Sequence, residues 1–387
     1  MFMYLVAIFV LCVLIFVHEL GHFLLAKWNK VGVLAFSIGF GPILWKKQVG
    51  ETTYSVRAFP LGGFVRMAGD DPRALAPKSK NDEDKARDLS LEGLDESEFT
   101  PEQLKVLSDR SKWFLLKGFW AKFAVVFAGP AFNFIFAALL ASFSVFLYGQ
   151  ATPVDTATIG DIVPGHPAEK AGLQSNDLVL SINEKPVSSW RDLSEMIRGS
   201  EGKPLALIVE RVNETGNPER VNVSVTAEVD KSGLVTDDER ESGDVYRVGI
   251  TPAFDRSPAT LSQVLLSGPL IVWNITDQTL IGLKGLLLGH ISSENIAGPV
   301  RIFQEAGRSA RRGLEHLFSF MVFLSVSLAV LNLLPVPVLD GGHIVFFVIE
   351  ALKGSPISIR VREAANQVGF VLLIALMIFA LSNDVLR

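Results

Sequence analysis

The sequence predicts a polytopic α-helical membrane protein of about four spans, with a membrane-associated β-hairpin or small sheet and one small soluble α+β domain. Its 387 residues are 49% hydrophobic, and the mean hydropathy of +0.35 is too high for an ordinary soluble domain. Charged residues make up 20% of the chain, which is too many for a bundle embedded entirely in a membrane. The net charge of −5 gives no basic footprint for nucleic acid, so no nucleic-acid partner is expected.

Four apolar stretches are long enough to cross a bilayer. They predict spans at about residues 4–26, 123–152, 317–339 and 364–383, the last with a polar start at Asn366 and Gln367. A fifth run, 257–276, contains two prolines and is interpreted as an amphipathic helix on the membrane surface, with a further span as the alternative. The predicted segments are 1–34 with the first span, 35–70 with the hairpin, 71–120 as an acidic loop, 121–152 with the second span, 153–256 as the soluble domain, 257–316 with amphipathic helices, 317–343 with the third span, and 344–387 with a turn and the fourth span.

The distribution of cations predicts the orientation of the spans. Lysines lie on both sides of the loop at 28–120, and Lys353, Arg360 and Arg362 lie between the third and fourth spans. Because cations near membrane ends stay in the cytoplasm, both of these loops are expected there. The region 153–316 and both termini then face outward. Cys12 is the only cysteine, so no intramolecular disulfide is possible.

The soluble parts have distinct patterns. Residues 35–67 alternate as two strands around a turn near 49–51, which predicts the hairpin. Residues 81–102 hold nine acidic side chains and few large apolar ones, which indicates a flexible or loosely helical excursion. From about 155 to 255, short strands alternate with turns around one amphipathic helix near 189–199. About a hundred residues are enough for one small core.

The most informative motif is HELGH at residues 18–22, near the end of the first apolar stretch. On a helix, positions i and i+4 lie on one face, so the imidazoles of His18 and His22 can bind one Zn²⁺. Glu19 projects about 100° around the same helix, where it can polarise a water molecule on the metal. A charged group at membrane depth is unfavourable by ~2.5–3.5 kcal/mol or more, and a metal ion is the obvious compensation.

A catalytic zinc needs a third protein ligand and an open position for water. Asp340 at the end of the third stretch is an oxygen donor in an apolar setting, although a simple helix-ending carboxylate is the alternative. His343 is the second candidate ligand. Asn332 can donate and accept hydrogen bonds, which suits holding a peptide backbone or an oxyanion. Pro335 and Pro337 interrupt regular helix and expose backbone groups that can pair with an extended peptide. The remaining histidines, at positions 166, 290 and 316, are expected to be ordinary surface residues.

These motifs resemble those of the site-2 protease family of intramembrane zinc metalloproteases, in particular its bacterial regulator of sigma-E protease type. The resemblance is carried by HELGH at 18–22, GPAFN at 129–133 and NLLPVPVLDGG at 332–342. It implies that Asp340 is the third zinc ligand, Glu19 the general base and Asn332 a substrate-positioning residue. It also implies that the soluble domain is PDZ-like. The length of this chain accommodates one such domain, whereas many relatives of this type have two in tandem.

The same resemblance implies a multi-pass protein of the bacterial inner membrane, with the PDZ-like domain on the periplasmic side. Its expected substrates are the transmembrane segments of single-span membrane proteins, such as anti-sigma factors or signal-peptide remnants, and its other partner is membrane lipid. Such a substrate must be unwound locally, and an exposed strand edge in the hairpin is expected to hold it by β-addition. The residues expected at this edge are Thr53, Tyr54, Ser55 and Val56.

Two other classes of function share part of this pattern. A membrane transporter or metal permease would also place histidine and aspartate inside spans, but it usually has more spans and repeated halves. A catalytically silent scaffold that presents a PDZ-like domain has no use for the carboxylate of Glu19. The intact motif therefore favours a zinc enzyme.

Overall fold

The computed structural model describes residues 2–71, 99–163, 165–213, 216–229, 245–289 and 298–385. Residues 72–98, which hold most of the predicted acidic excursion, and His290 lie outside the described residues. The chain forms two compact units. The first consists of Met1–Ala141, Ser267–Thr279 and Ile296–Arg387, and the second of Ser142–Leu266 and Leu280–Asn295.

Long apolar helices dominate the chain. In the described residues, four helices are long and apolar enough to cross a membrane: Met3–Trp28, Phe119–Tyr148, Leu314–Asn332 and Ile359–Asp384. This number agrees with the predicted four spans. The α-helices are α1 Phe2–Trp28, α2 Pro101–Ser108, α3 Phe119–Tyr148, α4 Pro167–Lys170, α5 Trp190–Arg198, α6 Leu261–Leu287, α7 Pro299–Arg312, α8 Leu314–Asn332, α9 Asp340–Lys353 and α10 Ile359–Val385.

The third apolar stretch forms a shorter helix than expected. α8 ends at Asn332, whereas the predicted span continued to residue 339. Pro335 and Pro337 cannot donate backbone hydrogen bonds, and the segment 333–339 is accordingly not helical. Asp340 therefore begins α9 instead of closing the third span.

The apolar run predicted at 257–276 falls mainly within α6. This helix begins with a capping box, in which Thr260 and Gln263 satisfy each other's backbone N–H groups. It continues to Leu287, well beyond the predicted end. It is not among the four candidate spans found in the described residues, and its position on a membrane surface stays a prediction.

The predicted hairpin is present as β1, Val33–Val49, and β2, Thr52–Met67, with its turn where expected. Both strands bend, β1 near Gly39 and Gly41 and β2 near Gly62, and all three glycines have positive φ. Each half of a strand therefore pairs separately with its neighbours. The resulting sheet has four strand segments, here called rungs, which lie side by side in the order 63–67, 33–38, 53–56 and 43–49.

This double pairing corrects the expected substrate-binding edge. Thr53, Tyr54, Ser55 and Val56 pair with residues 35–38 on one side and with 45–48 on the other. Their backbone groups are thus engaged within the sheet, and the prediction of an unpaired edge there was wrong. In the described residues, 63–67 pair with strand β1 alone and form an outer rung. The alternation of side chains does not show where a long strand folds back, which explains the error.

The second unit contains the small α+β domain that the sequence predicts. Its main sheet is antiparallel, with the strand order β6 (Lys185–Pro186), β5 (Leu178–Ile182), β7 (Pro204–Val212) and β8 (Pro218–Thr226). Helix α5 coincides with the predicted helix near 189–199. Ile159, Leu193 and Val209 are fully buried in its core. The strands of this unit are β3 Gln150–Pro153, β4 Ile159–Ile162, β5 Leu178–Ile182, β6 Lys185–Pro186, β7 Pro204–Val212, β8 Pro218–Thr226, β9 Glu228–Val229, β10 Tyr246–Arg247, β11 Ile250–Pro252 and β12 Phe254–Ser257.

Candidate metal centre

The imidazole rings of two histidines of α1 converge. His18 and His22 lie one turn apart, and their Nε2 atoms are 3.2 Å from each other. Each side chain is only 11% exposed. Residues 5–17 contain no charged side chain and form the continuous apolar helix that positions both rings. The spacing of the motif therefore produces the convergence that the sequence predicts.

The ring of His22 is oriented by α3. Its Nδ1 lies 2.8 Å from the backbone carbonyl oxygen of Val125. Because a carbonyl can only accept a hydrogen bond, Nδ1 carries the proton and Nε2 presents a lone pair. A histidine that ligates a metal is commonly held in this way, through its second ring nitrogen.

Asp340 supplies a third donor from the first turn of α9. Its Oδ2 lies 3.1 Å from Nε2 of His18 and 3.5 Å from Nε2 of His22. This oxygen is buried and has no partner in hydrogen-bonding geometry. Donors about 2.0–2.1 Å from a tetrahedral zinc ion lie about 3.3 Å from one another. The triangle of donors therefore fits zinc, and its unpaired oxygen is explained by such an ion.

Two glycines allow α1 and α3 to approach closely beside the histidines. A Cβ atom on Gly129 would lie 2.3 Å from Nε2 of His22 and 2.8 Å from Cε1 of His18. A Cβ atom on Gly21 would lie 2.3 Å from the carbonyl oxygen of Ala128. Neither position can hold a side chain unless the helices move apart. The GPAFN segment thus makes space for the imidazoles, a role that sequence analysis did not assign.

Asn133 of the same segment contacts the other histidine. It is fully buried, and its Nδ2 lies 3.3 Å from Nδ1 of His18. Its backbone carbonyl accepts a hydrogen bond of 2.9 Å from the hydroxyl of Ser325 on α8. With the side-chain amide turned by 180°, its otherwise unpartnered Oδ1 accepts a hydrogen bond from Nδ1 of His18. Nε2 of His18 then presents a lone pair to the metal.

The three donors line a cavity of about 580 Å³ in the first unit. Glu19 and Asn332 line the same cavity. Gly63 of the outer rung packs against Glu19, since a Cβ atom there would lie 2.9 Å from its Cγ. The expected base and the expected positioning amide thus line the same cavity as the three candidate metal donors.

Other predicted residues have different positions. His343 lines the cavity, but it is not a member of the convergent group formed by His18, His22 and Asp340. Pro335 and Pro337 do not belong to the lining of this cavity. Backbone atoms of Pro337 instead lie within 3 Å of the positions that Cβ atoms on Gly342 and Gly369 would occupy. Pro337 thus packs between α9 and α10, and Thr53–Val56 lie in an inner rung.

Arg362 and Asn366 are among the polar residues of the cavity wall to which the sequence alone assigned no role in the site. Arg362 was used only as a cation for orientation, and Asn366 only as a polar start of the fourth stretch. Both line the cavity that holds the metal donors. Their spacing of four residues on an apolar helix was the available signal, because it places both on one face.

Comparisons with known proteins support the geometry. The model of peptidase family M50 matches residues 6–376. A Rhizobium meliloti protein named as a zinc metalloprotease is 33% identical over 98% of this chain and 95% of its own length. The zinc metalloprotease RasP of Geobacillus kaustophilus is 30% identical over 96% of this chain and 95% of its own length. The regulator of sigma-W protease RasP of Bacillus subtilis is 28% identical, with coverage of 97% and 96%.

The family match extends over nearly the whole chain and includes every donor of the candidate centre. It confirms the resemblance that the three motifs indicated, and it identifies zinc as the cofactor. The apolar helices show a multi-pass membrane protein. The chain therefore belongs to peptidase family M50, the site-2 protease family, and is a zinc metalloprotease.

Proposed function

We propose that this protein is an intramembrane endopeptidase that cleaves transmembrane segments of single-span membrane proteins. The observation that carries the proposal is the convergence of His18, His22 and Asp340 among helices long enough to span a membrane. In this proposal these three side chains hold the zinc ion. Anti-sigma factors and signal-peptide remnants are the proposed substrate classes, in accord with the relatives of the sigma-W regulator type.

The cavity residues supply proton transfer and orientation. Zinc, when bound, polarises the scissile carbonyl and activates a water molecule. Glu19, next to His18 on α1, accepts a proton from the attacking water on its carboxylate. It then delivers that proton to the nitrogen of the leaving amine. Asn332 donates from its side-chain amide to an oxygen of the substrate and holds the reacting peptide group in place.

An unwound substrate needs backbone partners in an apolar setting. The outer rung at 63–67 is the candidate, because Gly63, Phe64 and Val65 line the cavity. Addition of an extended segment to this edge would bring its peptide bonds beside Glu19. This assignment replaces Thr53–Val56 as the proposed docking strand.

We also propose the orientation that the cations indicate. The loop at 28–120 and the loop between the third and fourth spans then lie in the cytoplasm, and the α+β domain lies outside it. In this proposal the protein resides in the bacterial inner membrane. The domain is PDZ-like and limits access by bulky ectodomains.

Deletion of residues 158–252 tests the role of the domain. A deletion variant is expected to cleave a substrate with a short outward tail and, in addition, one whose ectodomain has not been trimmed. The metal donors lie in the first unit and remain in the variant. An inserted, zinc-loaded variant that cleaves neither substrate would contradict the size filter.

The activity itself is tested with purified protein and a single-span substrate in liposomes. Wild-type protein is expected to contain about one zinc per chain and to cleave the substrate within its apolar segment. Glu19→Gln should retain zinc and lose cleavage, whereas His316→Gln, at an exposed histidine of α8, should match the wild type. Zinc-loaded wild-type protein that cleaves no membrane-embedded segment would contradict the proposal. If such a protein transported ions without cleaving the substrate, the alternative of a membrane transporter would be favoured.

A further inference from the structure

Two further residues in the wall of the metal cavity have a polar atom without a hydrogen-bond partner. Arg362, near the start of α10, is 7% exposed, and its Nε has no hydrogen-bond partner. Asn366 lies one turn later, and its Oδ1 is also buried without a partner. Both residues line the cavity that contains the three metal donors. An unpartnered donor and an unpartnered acceptor therefore lie one helical turn apart, on the part of α10 that contributes to the cavity wall.

The guanidinium of Arg362 is fixed along its other edge. Its Nη2 donates to Oε1 of Glu350 at 2.7 Å, and Lys122 lies 3.3 Å from Oε2 of the same carboxylate. The guanidinium also lies over the ring of Phe346, at 5.5 Å from its centroid. These contacts neutralise and orient the cation, but they leave its Nε–H unused. The donor is thus held in position before any substrate arrives.

An unwound transmembrane peptide has backbone N–H and C=O groups that lack hydrogen-bond partners. Inside a membrane, a peptide group outside a helix has an N–H and a C=O that water cannot satisfy. In an extended chain, the N–H and C=O of one residue point to the same side. One substrate residue can therefore present both groups to residues four positions apart on a helix face.

We propose that Arg362 and Asn366 form a subsite for the main chain of the unwound substrate. Nε of Arg362 donates to a substrate carbonyl oxygen, and Oδ1 of Asn366 accepts from a substrate N–H. The subsite rests on the proposed intramembrane protease function and assigns part of its substrate recognition to the fourth span. Because it binds backbone groups, it accepts different side chains while requiring that the helix be opened.

The first test compares size-matched variants in a kinetic assay with the full-length protein. Asn366→Leu removes the acceptor while keeping the number and branching of the non-hydrogen atoms, and Arg362→Lys keeps a cation opposite Glu350 while it removes Nε. Each should raise KM for the single-span substrate by roughly tenfold with kcat nearly unchanged, as expected for loss of one binding hydrogen bond. Zinc content should stay at the wild-type level.

Exposed residues of the same helix provide matched controls. Gln367→Leu and Arg360→Lys should leave KM unchanged, since both side chains point away from the protein interior. Glu350→Gln weakens the ion pair that holds Arg362 but retains the Nε of Arg362. This variant therefore distinguishes the role of the ion pair from the proposed contact between Nε and the substrate. If Glu350→Gln raises KM while Arg362→Lys does not, the arginine acts only through its ion pair and the proposal is overturned. Unchanged KM in Asn366→Leu and Arg362→Lys also overturns it.

A second test uses the wild-type protein and modified substrates. Peptide bonds near the cleavage site are replaced one at a time by esters, which lack the N–H. One position is expected to raise KM in the wild type but to have no further effect in Asn366→Leu. If no ester raises KM in the wild type, no substrate N–H is bound and the subsite is wrong. Failure of the wild type to cleave the unmodified substrate would instead refute the proposed function itself.

Discussion

Two aspartates, one in each unit, have opposite surroundings. Asp177 in the second unit is fully buried, and both of its oxygens are paired with Arg211 at 2.8 and 2.7 Å. The backbone N–H of Gln174 donates to it as well, at 2.8 Å. Asp340 in the first unit faces two imidazoles, and its buried Oδ2 has no hydrogen-bond partner.

The contrast separates a carboxylate that supports a fold from one that is ready to bind. An ion pair with complete hydrogen bonding needs nothing further, and Arg211 also donates to the carbonyl of Gly172. A buried carboxylate oxygen that faces two imidazoles without a hydrogen bond is unfavourable in a low-dielectric site unless a cation joins the three groups. The same residue type therefore has different functions, and the completeness of its hydrogen bonds distinguishes them.

The largest effect is expected from Asp340→Asn. Loss of this proposed zinc ligand should reduce kcat/KM by more than about 100-fold, because even outer contacts of a metal site contribute 10–100-fold. Zinc content, measured by atomic absorption, should fall, while the unfolding temperature of the second unit stays unchanged. His343→Ala is the control and should have a mild effect. Loss of zinc in His343→Ala with retention in Asp340→Asn would reverse the ligand assignment.

A second large effect is expected at Gly129. A methyl group there would lie 2.3 Å from Nε2 of His22, so Gly129→Ala must displace α1 from α3 or turn the ring. Cleavage is expected to fall by roughly 100-fold, comparable with loss of a metal-site contact. Gly118→Ala, with no atom within 4 Å of the added carbon, is the matched control. Equal zinc affinity in both variants would show that the helices yield without disturbing the site.

These two sites show what the sequence can predict. His18 and His22 were predictable because one helix sets their spacing, and Asp340 because an acid is unusual in an apolar stretch. Gly129 and Asn133 act through contacts with another helix, and local pattern carries no information about which face of α3 meets α1. They were noticed only as part of a resemblance.

The same limit applies to the fold. The helices and the turn of the hairpin follow from apolar length and turn residues, which are local properties. The inner position of Thr53–Val56 depends on bends that pair each strand twice. The pairing of Asp177 with Arg211, 34 residues later, is likewise a tertiary feature. The early end of α8 follows instead from Pro335 and Pro337, a local signal that the apolar length of the stretch did not take into account.

Proline substitution compares the two rungs of the hairpin. Phe64 and Val65 are adjacent in the outer rung that lines the cavity, so the backbone N–H of one of them points away from β1. Proline at that residue removes this N–H and should reduce cleavage by roughly tenfold with normal zinc content. At Tyr54 or Ser55, proline breaks pairing inside the sheet and should lower protein stability instead. Cleavage, zinc content and thermal unfolding are measured together. Unimpaired cleavage by the outer-rung variants would exclude β-addition at that edge.

Asp177→Asn should have the converse effect to Asp340→Asn. It leaves Arg211 without its buried counter-charge, which is expected to destabilise the second unit by about 3 kcal/mol. Zinc content should be unchanged, because all three donors belong to the first unit. Denaturant unfolding monitored in the second unit, together with zinc analysis, checks both expectations. Loss of zinc in this variant would contradict the separation of roles.

The smallest effect is expected at a third aspartate, which is exposed. Hydrogen bonds from Ser188 and Ser189 at the start of α5 hold the pKa of Asp192 below its ordinary value. A lowered pKa in the folded state means that this stabilisation is present above the unfolded pKa of about 3.9 and is lost as the pH falls through the folded pKa. Asp192→Asn should therefore lower the unfolding temperature slightly at neutral pH and make no difference at about pH 2. Thermal unfolding at both pH values measures this, with zinc content as the control. An equal difference at both pH values would show that the shape of the cap, and not its charge, stabilises the helix.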